Sequence, residues 1–404
     1  MIDIDQESLI DSHVHVYAPD SGDHDFDPLS TFTLGGDDPD FLQLRSEPRD
    51  PAIAKQLLKN TQSTMAFQQA LSQLAAWFGC PRTAEAVLAS RREAVRDFAV
   101  HVRQLLGDVR CSSMIVDMGH PIGVDLDAFE ALTGVDVYGI FRIEPLIAEL
   151  WDQQYSFAGL VAAYSDALGQ AGADPKVVGY KSIIAYRTGL AVEPVSETAA
   201  SAAFDRLKRS GAADGLLRRV QVPREMVADV KSVRDHLLWR AFELSLDLDL
   251  AFQIHTGWGD QDIDIRSASP GLLADVLRDS RLRHLRIVLL HGAYPFYEEA
   301  AYLTNIFPNV YLDLSLLNPF LGLGVHRVVQ SILDLAPFTK VLFASDAYGC
   351  PELQWVAARR GRAVLAAVIA EAIAAGILDP ATGLMAARCI LAGNARDVYR
   401  LPRT

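Results

Sequence analysis

Eight short apolar runs, separated by helix-like stretches, constrain the fold of this 404-residue chain more than any other feature. Most of the runs are nearly continuous in apolar residues, which is typical of strands buried on both faces. The predicted strands are Leu9–His15, Ser113–Met118, Val137–Glu144, Val177–Ile184, Asp249–His255, Arg286–His291, Val310–Leu314 and Lys340–Ser345. Strands that alternate with helices indicate βαβ units and a parallel sheet. Eight such units favour a closed (β/α)8 TIM-like barrel over an open doubly wound sheet, which would show a glycine-rich turn after its first strand.

One connection is too long for a minimal barrel. About 95 residues separate the first two predicted strands, far more than an ordinary connection needs. Gly22–Asp50 is acidic and is predicted to be a surface loop, whereas Pro51–Leu106 is predicted to form two or more helices. We therefore predict a barrel made of residues 1–20 and 107–404, and an insertion of residues 21–106 that adds an acidic loop and a helical cap over the barrel mouth.

The first predicted strand ends in two histidines, His13 and His15. Residues two apart in an extended chain point to the same side, so both imidazoles can face one point. Two neutral imidazoles at this spacing suit a divalent metal such as zinc. Taken alone, such a pair is more often two ordinary histidines of the surface or the core.

Three further titratable residues end other predicted strands. His255 ends the fifth strand, His291 the sixth, and Asp346 follows the eighth. In a barrel the carboxyl ends of all strands lie on one face, where active sites are built. Each residue alone could cap a strand or a helix, but together with His13 and His15 they predict a metal centre.

This pattern resembles the amidohydrolase superfamily, whose metal-dependent barrels carry His-x-His on the first strand, histidines on the fifth and sixth, and aspartate on the eighth. The resemblance covers nearly the whole chain in order. It is closest to the amidohydrolase-related branch that is also found fused to glutamine-synthetase-like domains. The stretches that are similar to that branch are Tyr180–Leu190, His255–Asp260, Tyr311–Ser315 and Gly393–Arg396.

The resemblance implies roles for the five strand-end residues. His13, His15, His255 and Asp346 would bind one divalent ion, most simply Zn²⁺, with Mn²⁺ or Fe²⁺ as alternatives. A divalent ion lowers the pKa of a bound water. Asp346 would also accept the proton of that water and pass it to the leaving group. His291 would either bind a second ion or hydrogen-bond the water or the substrate carbonyl, and with one ion we favour the second role.

Lys181, near the end of the fourth predicted strand, leaves three alternatives open. In dinuclear relatives a carboxylated lysine at this place bridges two metals. An uncarboxylated lysine would be a substrate-binding or structural ammonium, and a surface lysine is the third alternative. We predict one zinc-like ion and a free Lys181.

Three residues are candidates for contacts with the substrate. Arg187 follows the fourth predicted strand, and a guanidinium at a barrel mouth suits a bidentate grip on a substrate carboxylate. A salt bridge to the acidic cap would explain it equally well. Trp258 and Tyr186 adjoin site residues and could form the wall of an apolar pocket, although aromatic residues there also serve plain packing.

Charged residues at the ends of the second and third predicted strands are further candidates. Glu144 could bind substrate or take part in catalysis, or pair with Arg142, which shares one side of the predicted strand. Asp117 and His120 end the second strand and are open to similar roles.

These residues favour a metal-dependent hydrolase that uses an activated water on the C–N, amide-type bond of a small substrate bearing a carboxylate. The first alternative is a metal-dependent non-oxidative decarboxylase of a small organic acid. The second is a non-catalytic metal-binding domain.

The amino-acid composition limits the kinds of partner that we expect the protein to bind. Lys and Arg total 37 against 51 Asp and Glu, a net charge of −14 that argues against binding to nucleic acid or to anionic membranes. No apolar run reaches the length of a membrane span, and Met1–Glu7 lacks the features of a signal peptide. The four cysteines show no paired spacing. We expect a cytoplasmic enzyme with a small-molecule substrate, and a barrel of this size often forms a homodimer.

Overall fold

The computed structural model describes residues 3–33, 56, 59–210, 224–260 and 262–402. Eight parallel strands form one sheet in the order β1 to β8. The strands are β1 Leu9–Val14, β2 Cys111–Asp117, β3 Asp136–Arg142, β4 Val177–Ser182, β5 Ala251–Ile254, β6 Ile287–Leu289, β7 Val310–Asp313 and β8 Val341–Leu342. Each predicted strand is present, and the predicted TIM-like barrel is confirmed.

Hydrogen bonds between β1 and the chain around β8 nearly close the barrel. The amide of Ser12 donates to the carbonyl of Phe343 over 3.2 Å, and the amide of His15 donates to that of Ala347 over 2.9 Å. Between them, the amide of Asp346 donates to the carbonyl of His13 over 2.8 Å. Closure therefore places the residues after β8 directly beside the end of β1.

Helices surround the sheet and occupy most of the connections. They are α1 Met65–Phe78, α2 Ala84–Ala94, α3 Phe98–Asp108, α4 Leu126–Thr133, α5 Ile143–Trp151, α6 Phe157–Gly172, α7 Glu197–Arg209, α8 Val227–Asp247, α9 Ala274–Arg278, α10 Tyr297–Ile306, α11 Leu317–Phe320, α12 Gly324–Leu335, α13 Pro351–Ala374, α14 Pro380–Arg388 and α15 Asn394–Val398. Within the described ranges, none of the helices combines the length and the apolar character that crossing a membrane requires.

The predicted helices between β1 and β2 are present as α1, α2 and α3, and they pack beside α13. Trp77 of α1 lies 5.2 Å from Trp355 of α13, measured between ring centroids. Arg91 of α2 donates to Glu352 over 2.5 Å, and the ring of His101 in α3 lies 2.9 Å from the same carboxylate. A carboxylate at the start of α13 thus joins the insertion to the barrel.

The predicted division of the chain at residues 20 and 106 remains a prediction, as does the cap over the barrel mouth. Helix α3 runs across residue 106. Residues 34–55 and 57–58, which include much of the predicted acidic loop, lie outside the described residues.

The C-terminal segment fills one end of the barrel. Tyr399 packs with apolar side chains that the strands direct inward, such as Ile115 and Val288, and its hydroxyl lies 2.8 Å from the amide nitrogen of Gln253 on β5. Asn394 donates to the carbonyls of Phe338 and Val341. The resemblance stretch Gly393–Arg396 therefore anchors the C-terminal segment.

Candidate metal centre

Two imidazoles and one carboxylate converge where β1 and β8 end. His13 Nε2 lies 3.1 Å from Asp346 Oδ1, and His15 Nε2 lies 3.3 Å from the same oxygen. Neither contact has the geometry of a hydrogen bond, so Asp346 Oδ1 is a buried atom that has no hydrogen-bond partner among the described residues. Three buried atoms with lone pairs therefore face one another.

This spacing fits a divalent cation. Nitrogen and oxygen ligands about 2.0–2.1 Å from a tetrahedral zinc ion lie roughly 3.3–3.4 Å from each other. The two distances at Asp346 Oδ1, 3.1 and 3.3 Å, are close to that value. Imidazole and carboxylate are also the donors that Zn²⁺, Mn²⁺ and Fe²⁺ accept.

Hydrogen bonds fix which nitrogen of His15 is free to bind a cation. Its Nδ1 lies 2.8 Å from the carbonyl oxygen of His120, so Nδ1 carries the proton that is donated. The lone pair is then on Nε2, the atom that faces Asp346. A metal-binding histidine is commonly oriented by this kind of hydrogen bond.

A longer chain of hydrogen bonds orients His255 through His291. Ser315 Oγ donates to Asp313 Oδ1 over 2.7 Å, so it accepts from His291 Nδ1, which lies 2.9 Å away. His291 Nε2 then accepts from His255 Nδ1 over 2.8 Å. His255 Nε2 is left unprotonated, buried and without a partner among the described residues. A free lone pair on Nε2 is what a metal ligand needs, and the role of His255 as a ligand stays a prediction.

His291 itself is engaged at both ring nitrogens. Its Nδ1 also lies 3.4 Å from Asp346 Oδ2. In this arrangement the ring has no N–H group left for a substrate, and it orients His255. The predicted catalytic role of His291 stays a prediction.

Burial keeps His13, His255 and His291 neutral. Burial, and then the charge of Lys181, lowers the pKa of His13 to about 4. Burial also holds the pKa values of His255 and His291 well below their usual range. Burial alone would raise the pKa of Asp346, but its electrostatic interactions with His291 and His13 hold that pKa well below its usual range. At neutral pH the centre thus offers the neutral imidazoles of His13, His255 and His291 and the ionised carboxylate of Asp346.

Lys181 lies inside the centre, only 2% exposed, so the surface-lysine alternative is wrong. Its Nζ is 2.8 Å from His13 Nε2 and 2.8 Å from Asp117 Oδ2. Asp117 also accepts from the guanidinium of Arg142, at 2.5 Å from Nη2 and 3.1 Å from Nε. Register explains the arrangement, because Arg142 on β3 pairs with Lys181 on β4.

Asp117 is the site residue to which the sequence assigned no specific role. Its carboxylate and the imidazoles of His13 and His15 place potential ligand atoms within 4.8 Å of one another. It closes β2 just as the histidines close other strands, and this position was the available signal. Burial alone would raise the pKa of Asp117, but Arg142 and Lys181 hold it well below its usual range.

The substrate-contact candidates divide between two places. The ring of Tyr186 packs on His255 with centroids 4.4 Å apart, and its hydroxyl accepts the amide of Asp260 over 3.0 Å. Trp258 packs on Tyr294 at 4.6 Å. Arg187 instead lines a cavity behind the strand ends.

Glu144 lines the same cavity, and the alternative in which it pairs with Arg142 is wrong, because Arg142 donates to Asp117 instead. Strand β3 ends at Arg142 and helix α5 begins at Ile143, so the two-residue alternation that would bring the side chains together stops. Glu144 Oε1 accepts from Ser182 Oγ over 2.6 Å and from the amide of Ile183 over 2.8 Å. Burial raises the pKa of Glu144.

Comparisons with known proteins place the chain in a family. The family model described as Amidohydrolase matches residues 10–401. Protein fluG of Emericella nidulans is 30% identical in an alignment of 387 residues. The alignment covers 89% of this chain and 43% of fluG, so the chain spans less than half of that relative.

Solved structures of other proteins share the fold of this chain. A Lactobacillus casei protein named "putative metal-dependent hydrolase" has a TM-score of 0.80 and 29% identity, with all of both chains covered. Glucuronate isomerase from Caulobacter crescentus shares the fold, with a TM-score of 0.66 and 17% identity over 99% of this chain and 92% of its own. The chain belongs to the amidohydrolase family.

Proposed function

We propose that the protein is a metal-dependent hydrolase that cleaves a C–N, amide-type bond of a small substrate. The observation that carries this proposal is the convergence of His13 Nε2 and His15 Nε2 on Asp346 Oδ1, at 3.1 and 3.3 Å. The similar Lactobacillus casei protein is itself named for metal-dependent hydrolysis. One zinc ion is the simplest occupant, with Mn²⁺ or Fe²⁺ as alternatives.

The residues of the chain supply the remaining chemistry. When bound, a divalent ion lowers the pKa of a water and polarises the scissile carbonyl. Asp346 is ionised, so its carboxylate can take a proton from the attacking water and deliver it to the leaving nitrogen. His13 Nε2 and His15 Nε2 face Asp346 Oδ1, and His255 Nε2 is buried without a hydrogen-bond partner among the described residues. Hydrolysis therefore needs no further base from the chain.

We propose that Lys181 acts as an ammonium rather than as a carboxylated bridge between two metals. Its Nζ lies 2.8 Å from Asp117 Oδ2, so an anion that neutralises the ammonium is already in place. A carboxylated lysine would be an anion beside the same carboxylate, which like charges disfavour. Metal analysis should give one equivalent per chain, and two equivalents would contradict this part of the proposal.

The test of the function is the variant Asp346→Asn with Asp379→Asn as its matched control. Asp379 is an exposed N-cap of α14, a position where asparagine also serves. Loss of the base should lower kcat by about 10²- to 10⁴-fold in Asp346→Asn, with the circular dichroism spectrum retained. The control should keep the wild-type rate.

The substrate screen should contain N-acyl and γ-glutamyl amides beside aromatic acids, with amine and carbon dioxide release followed in parallel. Amine release that depends on Asp346 supports the hydrolase. Carbon dioxide release without amine would identify a decarboxylase instead. Unchanged function of Asp346→Asn in cells would favour a non-catalytic metal-binding domain.

A further inference from the structure

Arg142 is a charged residue beside the metal centre to which the proposed function gives no role. It is the last residue of β3 and pairs in register with Lys181 of β4. Asp117 Oδ2 contacts both side chains, at 2.5 Å from Arg142 Nη2 and at 2.8 Å from Lys181 Nζ. The two cationic nitrogens are therefore at most 5.3 Å apart, which is the sum of the distances of 2.5 and 2.8 Å through their common oxygen.

The same contacts connect Arg142 to the metal centre. Lys181 Nζ also lies 2.8 Å from His13 Nε2. Three successive contacts of 2.5, 2.8 and 2.8 Å thus lead from Arg142 Nη2 to His13 Nε2, so these two atoms are at most 8.1 Å apart. Burial alone would lower the pKa of Arg142, but Asp117 and further acids, among them Asp346, raise it. A small substrate bound at the centre can span such a distance.

The guanidinium of Arg142 keeps donors that the protein does not use. A guanidinium has five N–H donors. Arg142 donates to Asp117 from Nε and Nη2, and none of its hydrogen bonds to the described residues involves Nη1. Its side chain is 13% exposed, whereas those of Asp117 and Lys181 are 0% and 3% exposed. Of these three charged groups, Arg142 is therefore the one that a ligand can reach.

Two neighbours hold the guanidinium of Arg142 in place. Asp117 accepts from Nη2 over 2.5 Å and from Nε over 3.1 Å. The chain after β2 also passes close by, because a Cβ atom at Gly119 would lie 2.4 Å from Arg142 Cβ and 2.8 Å from its Nε. A binding group that is already held in place loses little conformational entropy when a ligand binds.

The charges around Asp117 do not cancel. Its single negative charge faces the positive charges of Lys181 and Arg142, and one of these would be enough to balance it. The negative charge of Asp346 is already assigned to the predicted metal site, where a divalent ion would bring two positive charges. The loaded centre would therefore carry an excess of positive charge, which favours a substrate with an anionic group.

Arg142 is better placed for such a group than the other cations near the strand ends. Lys181 is almost fully buried, and its Nζ already has the two contacts given above. Arg187, the candidate that the sequence suggested, lines the cavity behind the strand ends. Glu144 attracts and Arg187 repels the guanidinium of Arg142, so this pair leaves the charge balance unchanged.

We propose that Arg142 binds a carboxylate of the substrate through the Nη1 side of its guanidinium, while Asp117 holds the side formed by Nε and Nη2. This inference rests on the proposed function, because it names the class of substrate for that site. The substrate would be an amide that carries a carboxylate a few bonds from the scissile C–N bond. A planar guanidinium matches a carboxylate through paired N–H donors.

The first test measures binding of a simple carboxylate to the metal-loaded protein and needs no turnover. 4-Fluorobenzoate is titrated and followed by ¹⁹F NMR, with 4-fluorobenzamide as its uncharged counterpart. Arg142→Gln should raise the Kd of 4-fluorobenzoate by about 10- to 100-fold, because hydrogen bonds between two charged groups are lost. The Kd of 4-fluorobenzamide should change little.

Arg286→Gln is the matched control for this titration. The side chain of Arg286 is 14% exposed against 13% for Arg142, and it also pairs with an aspartate, Asp249, over 2.6 Å. Arg286 directly precedes β6, so it lies at the end of the barrel opposite the metal centre. Arg286→Gln should bind 4-fluorobenzoate with the Kd of the wild type.

Two results of the titration would overturn the proposal. If wild type and Arg142→Gln bind 4-fluorobenzoate with equal affinity, the carboxylate is held elsewhere, for example at the metal. The proposal also fails if the wild type does not bind 4-fluorobenzoate.

Crystallography replaces the titration if Arg142→Gln does not fold. Wild-type crystals are soaked in 4-bromobenzoate, and the anomalous scattering of bromine locates and orients the ligand. A carboxylate within hydrogen-bonding distance of Arg142 Nη1 supports the proposal. A carboxylate bound only elsewhere, or the absence of bound ligand, refutes it.

The second test uses turnover. N-acyl amino acids are compared with their C-terminal amides, which lack the carboxylate. Arg142→Gln should raise KM for the acids by about 10- to 100-fold, and it should leave kcat and the hydrolysis of the amides nearly unchanged. If no compound is cleaved, the proposed function fails, while the titration with 4-fluorobenzoate still decides the role of Arg142.

Discussion

Neutralising Asp117 should destabilise the protein more than any change at an exposed ion pair. Asp117 is fully buried and accepts from Arg142 over 2.5 Å and from Lys181 over 2.8 Å. The variant Asp117→Asn keeps the shape of the side chain and removes its charge. The buried Lys181 and the partly buried Arg142 would then face each other without an anion between them, and burial of an uncompensated charge is costly.

The size of the effect follows from the burial of the network. Breaking a buried ion pair by removing one partner costs about 3–5 kcal/mol. Unfolding entropy of about 2.1 cal/mol/K per residue gives roughly 0.8 kcal/mol/K for a chain of this length. The expected loss therefore lowers Tm by about 4–6 °C.

Calorimetry on samples of equal metal content measures this shift. The matched control is Asp127→Asn, which breaks an equally short contact, 2.5 Å to Lys176, at a side chain that is 84% exposed. Its Tm should stay near wild type, because exposed pairs contribute little. The double variant Asp117→Asn/Lys181→Met should recover part of the loss, since one of the two cations is gone. A Tm of Asp117→Asn within 1 °C of wild type, or strictly additive losses in the double variant, would refute the reasoning.

Two further predictions concern residues around the centre. Burial raises the pKa of Asp313 to about 7, above its value in the unfolded chain. The folded protein therefore keeps a proton that the unfolded chain loses. This proton stabilises the fold most at low pH, and its contribution is lost as the pH rises toward 7. The unfolding free energy in urea should fall between pH 5 and pH 7 by up to about 1.4 kcal/mol per pH unit from this group, and Asp313→Asn should flatten that fall; an unchanged slope would contradict the burial argument. Gly259→Ala would place a methyl group 1.8 Å from the Tyr186 hydroxyl, so we expect a lower Tm and less bound metal. Gly107→Ala, which meets nothing within 4 Å, is its control and should keep both at wild-type values.

The fold was predictable because its signal is local and repeated. Each strand of a parallel barrel is buried on both faces, so eight apolar runs remain visible in the sequence. The strand ends were less predictable. The strand predicted to reach Glu144 stops at Arg142, because helix α5 begins at the next residue. Nothing in the apolar pattern marks that change.

The histidines of the centre were predictable for a geometric reason. The ends of parallel strands meet on one face, so position along a strand was enough to bring His13, His15 and Asp346 together. The role of Asp117 was not predictable, because it depends on the register between neighbouring strands. Arg142 and Lys181 both reach Asp117 because they are paired residues of the neighbouring strands β3 and β4. The sequence of one strand does not determine how it pairs with the next strand.

The remaining part of the centre depends on strained backbone. His291 and Asp346 adopt left-handed conformations, with φ of 68° and 52°, which cost of order 1 kcal/mol or more for residues other than glycine. Buried hydrogen bonds offset this strain. The amide of His291 donates to Asp313 Oδ1 over 2.6 Å, and the amide of Asp346 donates to the carbonyl of His13 over 2.8 Å. Because the backbone turns away from the strand direction at both residues, the alternation of side chains along a strand does not determine where these two side chains point. Their acceptors lie on β7 and β1, so the geometry of the site is set by strands other than those that carry it.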